Sequence, residues 1–465
     1  MELKKLFGNK VVKAGSWYTV TNFFTKGIAF LTLPIFTRLL STEDYGIVSL
    51  FTSWVGIFSI IISLDLMGSV GRGKTEFKER YDEFASSILF LSLIIFSIFL
   101  TFFILFSDFF SNLVGLEKPL FYLMIFGSYF TFVLNFTLSK FRFEYKYKVT
   151  SIITILKALV AVGLSIYLIL YVFDQNEYYG RIVGQMSPLF IVGVIFLFYI
   201  LFKGKKLVDF KYWKFALVLS IPLIPHNISH IINSQFDRIV IDRYVGSAET
   251  GIYSFAYNLS MIVTVLLSSI NTAWVPWFFE KMEKMDYSNI KNKGKMFRDI
   301  FTIGFGLMLL LSPEIVKIMA DESYWEGLVI LPIVFLGIYF QFLYTFEVNV
   351  EFFLKKTSLI SLGTMLSAGI NVGLNFWLVP KYGYMAAAYT TLISYMFLFI
   401  FHYIFTSKVI KMKIFGLKFH SFAIISSFSI TIFFIIFQNY LFIRIIGVIG
   451  LLFLLYRMLK RFSLN

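Results

Sequence analysis

The sequence predicts an all-α integral membrane protein of about 14 transmembrane helices. The expected arrangement is two six-helix bundles, related by a parallel repeat around a central cavity, plus two additional C-terminal helices. Three observations predict it. Of 465 residues, 58% are hydrophobic and 15% charged, whereas a soluble domain carries about 25% charge; mean hydropathy is +0.78. Apolar stretches of spanning length, about 20 residues, recur along the chain without the two-residue alternation of barrel strands. Finally, Lys and Arg gather in every second connection, as cytoplasmic loops do.

The same composition excludes whole classes. A chain this apolar cannot cover its own surface in water, which excludes a soluble enzyme, a secreted disulfide scaffold and a disordered tail. There are no cysteines, so disulfides, thiolate catalysis and Cys-based metal sites are out. The net charge of +15 sits in short loops facing anionic lipid, not on a nucleic-acid-binding face.

The spans follow in order. Lys4, Lys5, Lys10 and Lys13 precede the first, 14–38, which has full spanning length and no small-residue cleavage site, so it reads as a retained helix rather than a signal peptide. The second, 43–66, opens on Ser41 and Asp44, a capping-box pair at a positive helix N-terminus. A basic connection leads to 84–107, then 119–139, 149–173 and 179–202 follow with short links. The second set is 215–241, 248–279, 300–320, 327–350, 357–379 and 383–407, followed by 419–437 and 440–456. An even number of spans places both termini on one side, the cytoplasmic one by charge. The longest connection, 280–299, is basic and short, leaving no room for an extramembrane domain.

Residues 38–50, RLLSTEDYGIVSL, echo residues 243–255, RYVGSAETGIYSF: Arg38 meets Arg243, Gly46 meets Gly251, Ile47 meets Ile252 and Ser49 meets Ser254. Tyr179-Gly180 echoes Tyr382-Gly383 at almost the same offset. A six-span unit repeated in one orientation divides the chain into 1–205, 206–413 and an addition, 414–465. Parallel repeats of this kind enclose a midplane site.

Polar residues inside spans are costly and usually face a cavity or a partner. Thr19, Asn22 and Lys26 share one face of the first helix. Lys157 lies in the fifth, and Ser128, Thr131 and Asn135 in the fourth. The seventh carries His226, His230, Asn233 and Asp237 on one face, with Arg238 beside them. The tenth carries Gln341, Tyr344 and Glu347; the eleventh Thr364, Asn371 and Asn375. Cations, amides, hydroxyls and aromatic rings are what a hydrated anionic headgroup requires. The same Ser, Thr and Asn also serve as glue between helices, Lys157 can snorkel, and Asp237 and Arg238 can pair. Glu347, Asp237 and Asp65, at the end of the second span, are the candidates for binding a coupling ion. No cofactor is expected.

Two patterns mislead. GSVGRGKT (68–75) matches the phosphate-binding P-loop spelling but follows a membrane helix rather than a buried strand. His226 and His230 have metal-pair spacing but no adjacent Glu or evident third ligand, so no metal is expected.

At larger scale the chain resembles a known family. LPIFTRLLSTEDYGIVSLF (33–51), FDRIVIDRYVGSAETGIYSFAYNL (236–259), AWVPWFF (273–279) and NFWLVPKYGYMAAAYTTLIS (375–394) are similar, in order and spacing, to signatures of Wzx-type polysaccharide flippases. These form a branch of the multidrug/oligosaccharidyl-lipid/polysaccharide exporter superfamily. The resemblance implies alternating access and transfer of an undecaprenyl-pyrophosphate-linked glycan from the inner to the outer leaflet of the bacterial cytoplasmic membrane. It implies membrane lipids as surroundings, a polysaccharide polymerase and chain-length machinery as partners, and coupling to proton, sodium or membrane potential. In type and location Lys26 matches the cavity cations that engage pyrophosphate in relatives; Arg238 matches more loosely, and Arg38 matches a signature arginine of the gate or fold. The rival readings are a multidrug/cation antiporter of the same superfamily, which favours an acidic cavity, and a membrane polysaccharide polymerase, which carries a large extracytoplasmic loop.

Overall fold

In the computed structural model, which describes residues 10–463, fourteen helical segments are long and apolar enough to cross a membrane. They are α1 (Lys13–Leu39), α2 (Thr42–Ile61), α3 (Leu66–Leu105), α4 (Lys118–Phe143), α5 (Tyr147–Tyr171), α6 (Glu177–Gly204) and α7 (Phe210–Tyr244). Then come α8 (Ser247–Glu283), α9 (Tyr287–Met319), α10 (Leu331–Phe353), α11 (Thr357–Tyr382), α12 (Tyr384–Val409), α13 (Leu417–Phe437) and α14 (Leu441–Met458). This is the all-α membrane class that the composition predicts.

Local chemistry sets the ends. The Ser41 hydroxyl accepts from the Asp44 amide, and Asp44 accepts from the Ser41 amide, completing the predicted capping box of α2. Helix α2 stops at Ile61, short of the expected end at 66; Ile62–Asp65 form a turn in which Leu64 and Asp65 have φ of 47° and 51°. The P-loop-like segment is a short 3₁₀ turn and a helix, Val70–Phe77, not a strand–loop–helix. Within α7, Pro222 and Pro225 remove two backbone donors, and the helix passes through a 3₁₀ turn at Ile221–Leu223.

The expected long connection 280–299 is corrected. Helix α8 runs to Glu283 and α9 starts at Tyr287, leaving three residues between them. Helical pairing carries the polar ends beyond the apolar windows: Lys284 meets Glu280 at 2.6 Å, Lys281 meets Asp286 at 3.1 Å, and the Asp286 carboxylate accepts from the Asn289 amide. Polar composition marks where the bilayer ends, not where the helix does.

Left-handed turns are unevenly distributed. Among the described residues, positive φ at Tyr145, Lys205, Met285, Lys355 and Lys411 falls in even-numbered connections, as do Leu64 and Asp65, while Lys78 marks a break within α3. The three glycines with positive φ, Gly115, Gly246 and Gly383, fall in odd-numbered ones.

Packing divides the chain into Met1–Thr250 and Gly251–Asn465. In the first unit α7 lies along α2, where a Cβ on Gly56 would be 3.6 Å from Ile231 and Gln235. Gly184 brings α6 against α5 so closely that an added Cβ would be 2.5 Å from the Ser165 backbone. The core is aromatic: Phe77 and Phe84 stack on each other, and both meet Tyr212 and Phe215 edge to face. Below it, buried Lys140 bridges Asp82 at 2.6 Å and Glu144, while Lys203 reaches the other Asp82 oxygen at 3.0 Å.

In the second unit α10 is buried along almost its whole length. Trp274 of α8 packs on Phe346, and Phe301 of α9 stacks on Phe342 with centroids 4.0 Å apart. Helices α11 and α12 are joined by Ser367 to the Ser394 carbonyl, Asn371 to Thr391, and Thr390 to Asn375. Arg444 holds α14 to α9 through both oxygens of Glu314, at 2.5 and 2.6 Å.

Candidate substrate cavity

A cavity of about 310 Å³ opens in the first unit between α1, α4 and α5, at the end where α4 turns into α5. Its size falls at the lower end of the range of small-molecule sites, about 300–1,000 Å³. Helix α1 contributes Tyr18, Thr21 and Asn22; α4 contributes Asn135 and Arg142; α5 contributes Thr150, Thr154 and Lys157. Helical spacing explains the set. Residues 135, 138 and 142 share one face of α4, and 150, 153, 154 and 157 one face of α5.

The walls are fixed by internal bonds. The Thr21 hydroxyl is 2.6 Å from the Ser151 hydroxyl and 2.7 Å from the Trp17 carbonyl, which pins α1 to α5. Thr150 and Thr154 donate to the carbonyls of Lys146 and Thr150, leaving their oxygens free to accept. The Arg142 guanidinium lies 6.0 Å from the centre of the Tyr18 ring, and the buried Tyr18 hydroxyl faces Thr150.

The electrostatics are one-sided. No carboxylate lines the cavity, and among the described residues neither Arg142 nor Lys157 has an ion-pair partner. In a medium less polar than water, two such cations attract an anion strongly. Just outside, Glu144 is committed elsewhere. Its burial works to raise the carboxyl, but bonds from Lys140 and Lys146 outweigh that and hold it below the usual range.

Three sequence-predicted residues, Asn22, Asn135 and Lys157, therefore meet in one place. Lys26 lies one turn beyond Asn22 on α1, half-buried and outside the cavity lining. Arg38 ends α1 and donates to the Pro34 carbonyl at 2.8 Å. On α7, His226 is half-buried, His230 exposed, and Asp237 and Arg238 buried, with Arg238 donating to the Ser234 carbonyl at 2.9 Å. Asp65 is buried in its left-handed turn and accepts from Asn227 at 2.6 Å. Gln341 is half-buried on α10, and Asn371 bonds to Thr391 and Asn375. Glu347 is buried against Thr406 and His420.

Sequence reasoning missed Arg142 and Tyr18. Arg142 sits in a basic run at the end of α4 and reads as a loop charge. The signal was its spacing from Asn135, two helical turns along one face. Also missed were Glu351, His402 and His420, which the structure gathers around Glu347 in the second unit.

Comparison with known proteins agrees with this architecture. The Lsg locus putative protein 1 of Haemophilus influenzae is 25% identical over 378 residues, covering 78% of this chain and 90% of its own. The capsular polysaccharide biosynthesis protein CapF of Staphylococcus aureus is 25% identical over 269 residues, covering 53% and 64%. Among solved structures, the inward closed conformation of the lipid II flippase MurJ superposes with a TM-score of 0.73 at 17% identity, covering 96% of this chain and 99% of its own. An inward-facing MATE family multidrug resistance transporter of the MOP superfamily gives 0.58 at 16% identity, covering 83% and 96%. The sequence model of the polysaccharide biosynthesis protein family matches residues 11–282, more than half of the chain, and the chain belongs to that family.

Proposed function

We propose that this multi-pass membrane protein is a flippase for undecaprenyl-pyrophosphate-linked oligosaccharides. It moves them from the inner to the outer leaflet of a bacterial cytoplasmic membrane by alternating access, for cell-surface polysaccharide synthesis. The observation that carries the reading is the pairing of Arg142 and Lys157, without carboxylates, beside Asn22 and Asn135 in one cavity. The cations suit a diphosphate, the amides and threonine oxygens suit sugar hydroxyls, and the Tyr18 ring offers an apolar face to a pyranose. Lys26, one turn away, is suited to receive the anion as it moves along α1. The prenyl chain stays in lipid. With both termini cytoplasmic, an inside-negative potential favours anion export by about 2.3 kcal/mol per charge per 100 mV. Arg38 and Arg238 act at the gate or in the fold, and a polymerase with its chain-length partner takes up the product.

The fold likeness to multidrug transporters supports a second reading, export of cationic drugs. A cavity with two bases and no acid disfavours a cation. The test is a leaflet-accessibility assay in liposomes with a fluorescent undecaprenyl-diphosphate oligosaccharide, comparing wild type with Arg142→Gln/Lys157→Gln. Flipping by wild type and its loss in a folded double variant supports the flippase reading. Export of a cationic dye with no glycolipid movement replaces it with the antiporter.

A further inference from the structure

We infer that the second unit carries a two-proton site, Glu351–His402 and Glu347–His420, whose proton exchange is the ion-coupled step of transport; the coupling clause rests on the flippase reading above.

The geometry is specific. Both oxygens of Glu351 lie within reach of His402 Nδ1, at 2.9 and 2.8 Å, and both residues are 0% exposed. One turn earlier on α10, Glu347 Oε1 is 2.9 Å from His420 Nε2, while its other oxygen accepts the Thr406 hydroxyl. Two of the four histidines of the chain are thus matched, one each, to two fully buried carboxylates. A buried carboxylate beside a neutral imidazole leaves an uncompensated charge, and two such carboxylates one turn apart repel each other. One proton per pair makes each pair neutral, so the buried arrangement holds two.

Three features suit proton exchange rather than a static tie. His402 Nε2 and His420 Nδ1, the second nitrogens of the rings, have no hydrogen-bond partner among the described residues. A purely structural histidine buried this deeply would normally be satisfied at both nitrogens. Space is kept for one of them: a Cβ on Gly363 of α11 would lie 2.4 Å from His402 Nε2. Thr406, the donor to Glu347, lies in a π-helical turn, Phe405–Val409, a distortion that concentrates at functional sites. The imidazoles also disfavour hard metal cations, which take oxygen ligands.

The surrounding helices add little competing charge. Tyr344 of α10 packs on His402, and Tyr403 of α12 on His420. Arg298 of α9 is held by Asp299 and the Phe419 carbonyl, Lys408 on the π turn is exposed, α8 presents Trp274, and α11 presents Gly363. When water enters, each imidazolium can pass one H⁺ to it, leaving a neutral ring beside a hydrated carboxylate. Rebinding reverses the step. No electrons move and no bond other than N–H breaks.

The first measurement is independent of substrate. The full-length protein, labelled with ¹⁵N-histidine in detergent micelles, displays its imidazoles by NMR, assigned with His402→Asn and His420→Asn. Two cationic rings at neutral pH are expected, one neutralised by Glu351→Gln and the other by Glu347→Gln. Four neutral rings in wild type overturn the site even if the variants do not fold, and so do rings unmoved by either substitution. The second measurement follows fluorescent undecaprenyl-diphosphate oligosaccharide in liposomes holding a pH-sensitive dye. Proton movement accompanying flipping, lost in Glu351→Gln, is expected. Flipping without proton movement overturns the coupling while leaving the flippase reading intact. Absence of flipping in wild type overturns both, and the ring measurement alone then decides whether the protons are held.

Discussion

The hydroxyl of Thr21 meets the hydroxyl of Ser151 at 2.6 Å, so that α1 and α5, far apart in sequence, share one buried hydrogen bond at the wall of the cavity. Replacing Thr21 with Val leaves Ser151 buried without that partner. The expected cost is about 1–3 kcal/mol. The double variant Thr21→Val/Ser151→Ala, with both polar groups gone, is expected to lose less than the two single changes together. Thermal unfolding in detergent measures this, and additive losses would show that the bond is not coupled.

Lys157 lines the cavity and Lys26 does not. A hydrogen bond to a charged group contributes about 1.5–3 kcal/mol, so Lys157→Ala is expected to reduce glycolipid flipping by roughly 10- to 100-fold. Lys26→Ala is expected to cost only a few-fold. Initial rates in liposomes compare them, and the reverse order would move the phosphate site along α1.

Acid should loosen the first unit through Glu144. Its carboxyl titrates below the usual range when folded, because Lys140 and Lys146 hold its charged form against the opposing effect of burial. The stabilisation is complete above the unfolded value of about 4.3 and disappears as pH falls through the lower folded value. Lys140→Met removes the buried bridge to Asp82 and Glu144. The variant should unfold more easily at neutral pH and show a shallower loss below about pH 4. Parallel acid profiles for the two proteins would contradict this.

Gly184 is a steric requirement. With a Cβ position 2.5 Å from the Ser165 backbone, Gly184→Ala must push α6 from α5 and is expected to cost about 1–3 kcal/mol. Gly163, with nothing within 4 Å of its Cβ position, should accept alanine without loss. Unfolding midpoints of the two variants separate close packing from general helix propensity.

Much of the fold was legible because lipid makes strict demands. Helix number and order follow from apolar length, and the Ser41–Asp44 cap follows from local spacing. Legibility failed where polar segments stay helical, as at 280–283 and 287–299, and where proline and a left-handed turn interrupt spans, as at Pro222, Pro225 and Asp65. Three of the cavity's lining residues were readable, since Asn22, Asn135 and Lys157 are costly inside a membrane. Arg142 was not, because a base at a helix end is the commonest topological signal. The Glu351–His402 pair was invisible because its partners are 51 residues apart, and only packing brings α10 and α12 together.

The distribution of left-handed turns has a consequence for biogenesis. At Lys205, Lys355 and Lys411 the chain places a side chain where glycine would relieve strain, by about 1–2 kcal/mol at each. Glycine is what it uses in the opposite set of connections. The lysines thus favour the insertion machinery, which reads positive charge as each hairpin emerges, over the finished fold, which would be less strained without them. Replacing all three with glycine should raise the unfolding temperature and yet increase the fraction of chains inserted upside down. Orientation during synthesis and stability after it are separate demands, and these turns record which of the two prevailed.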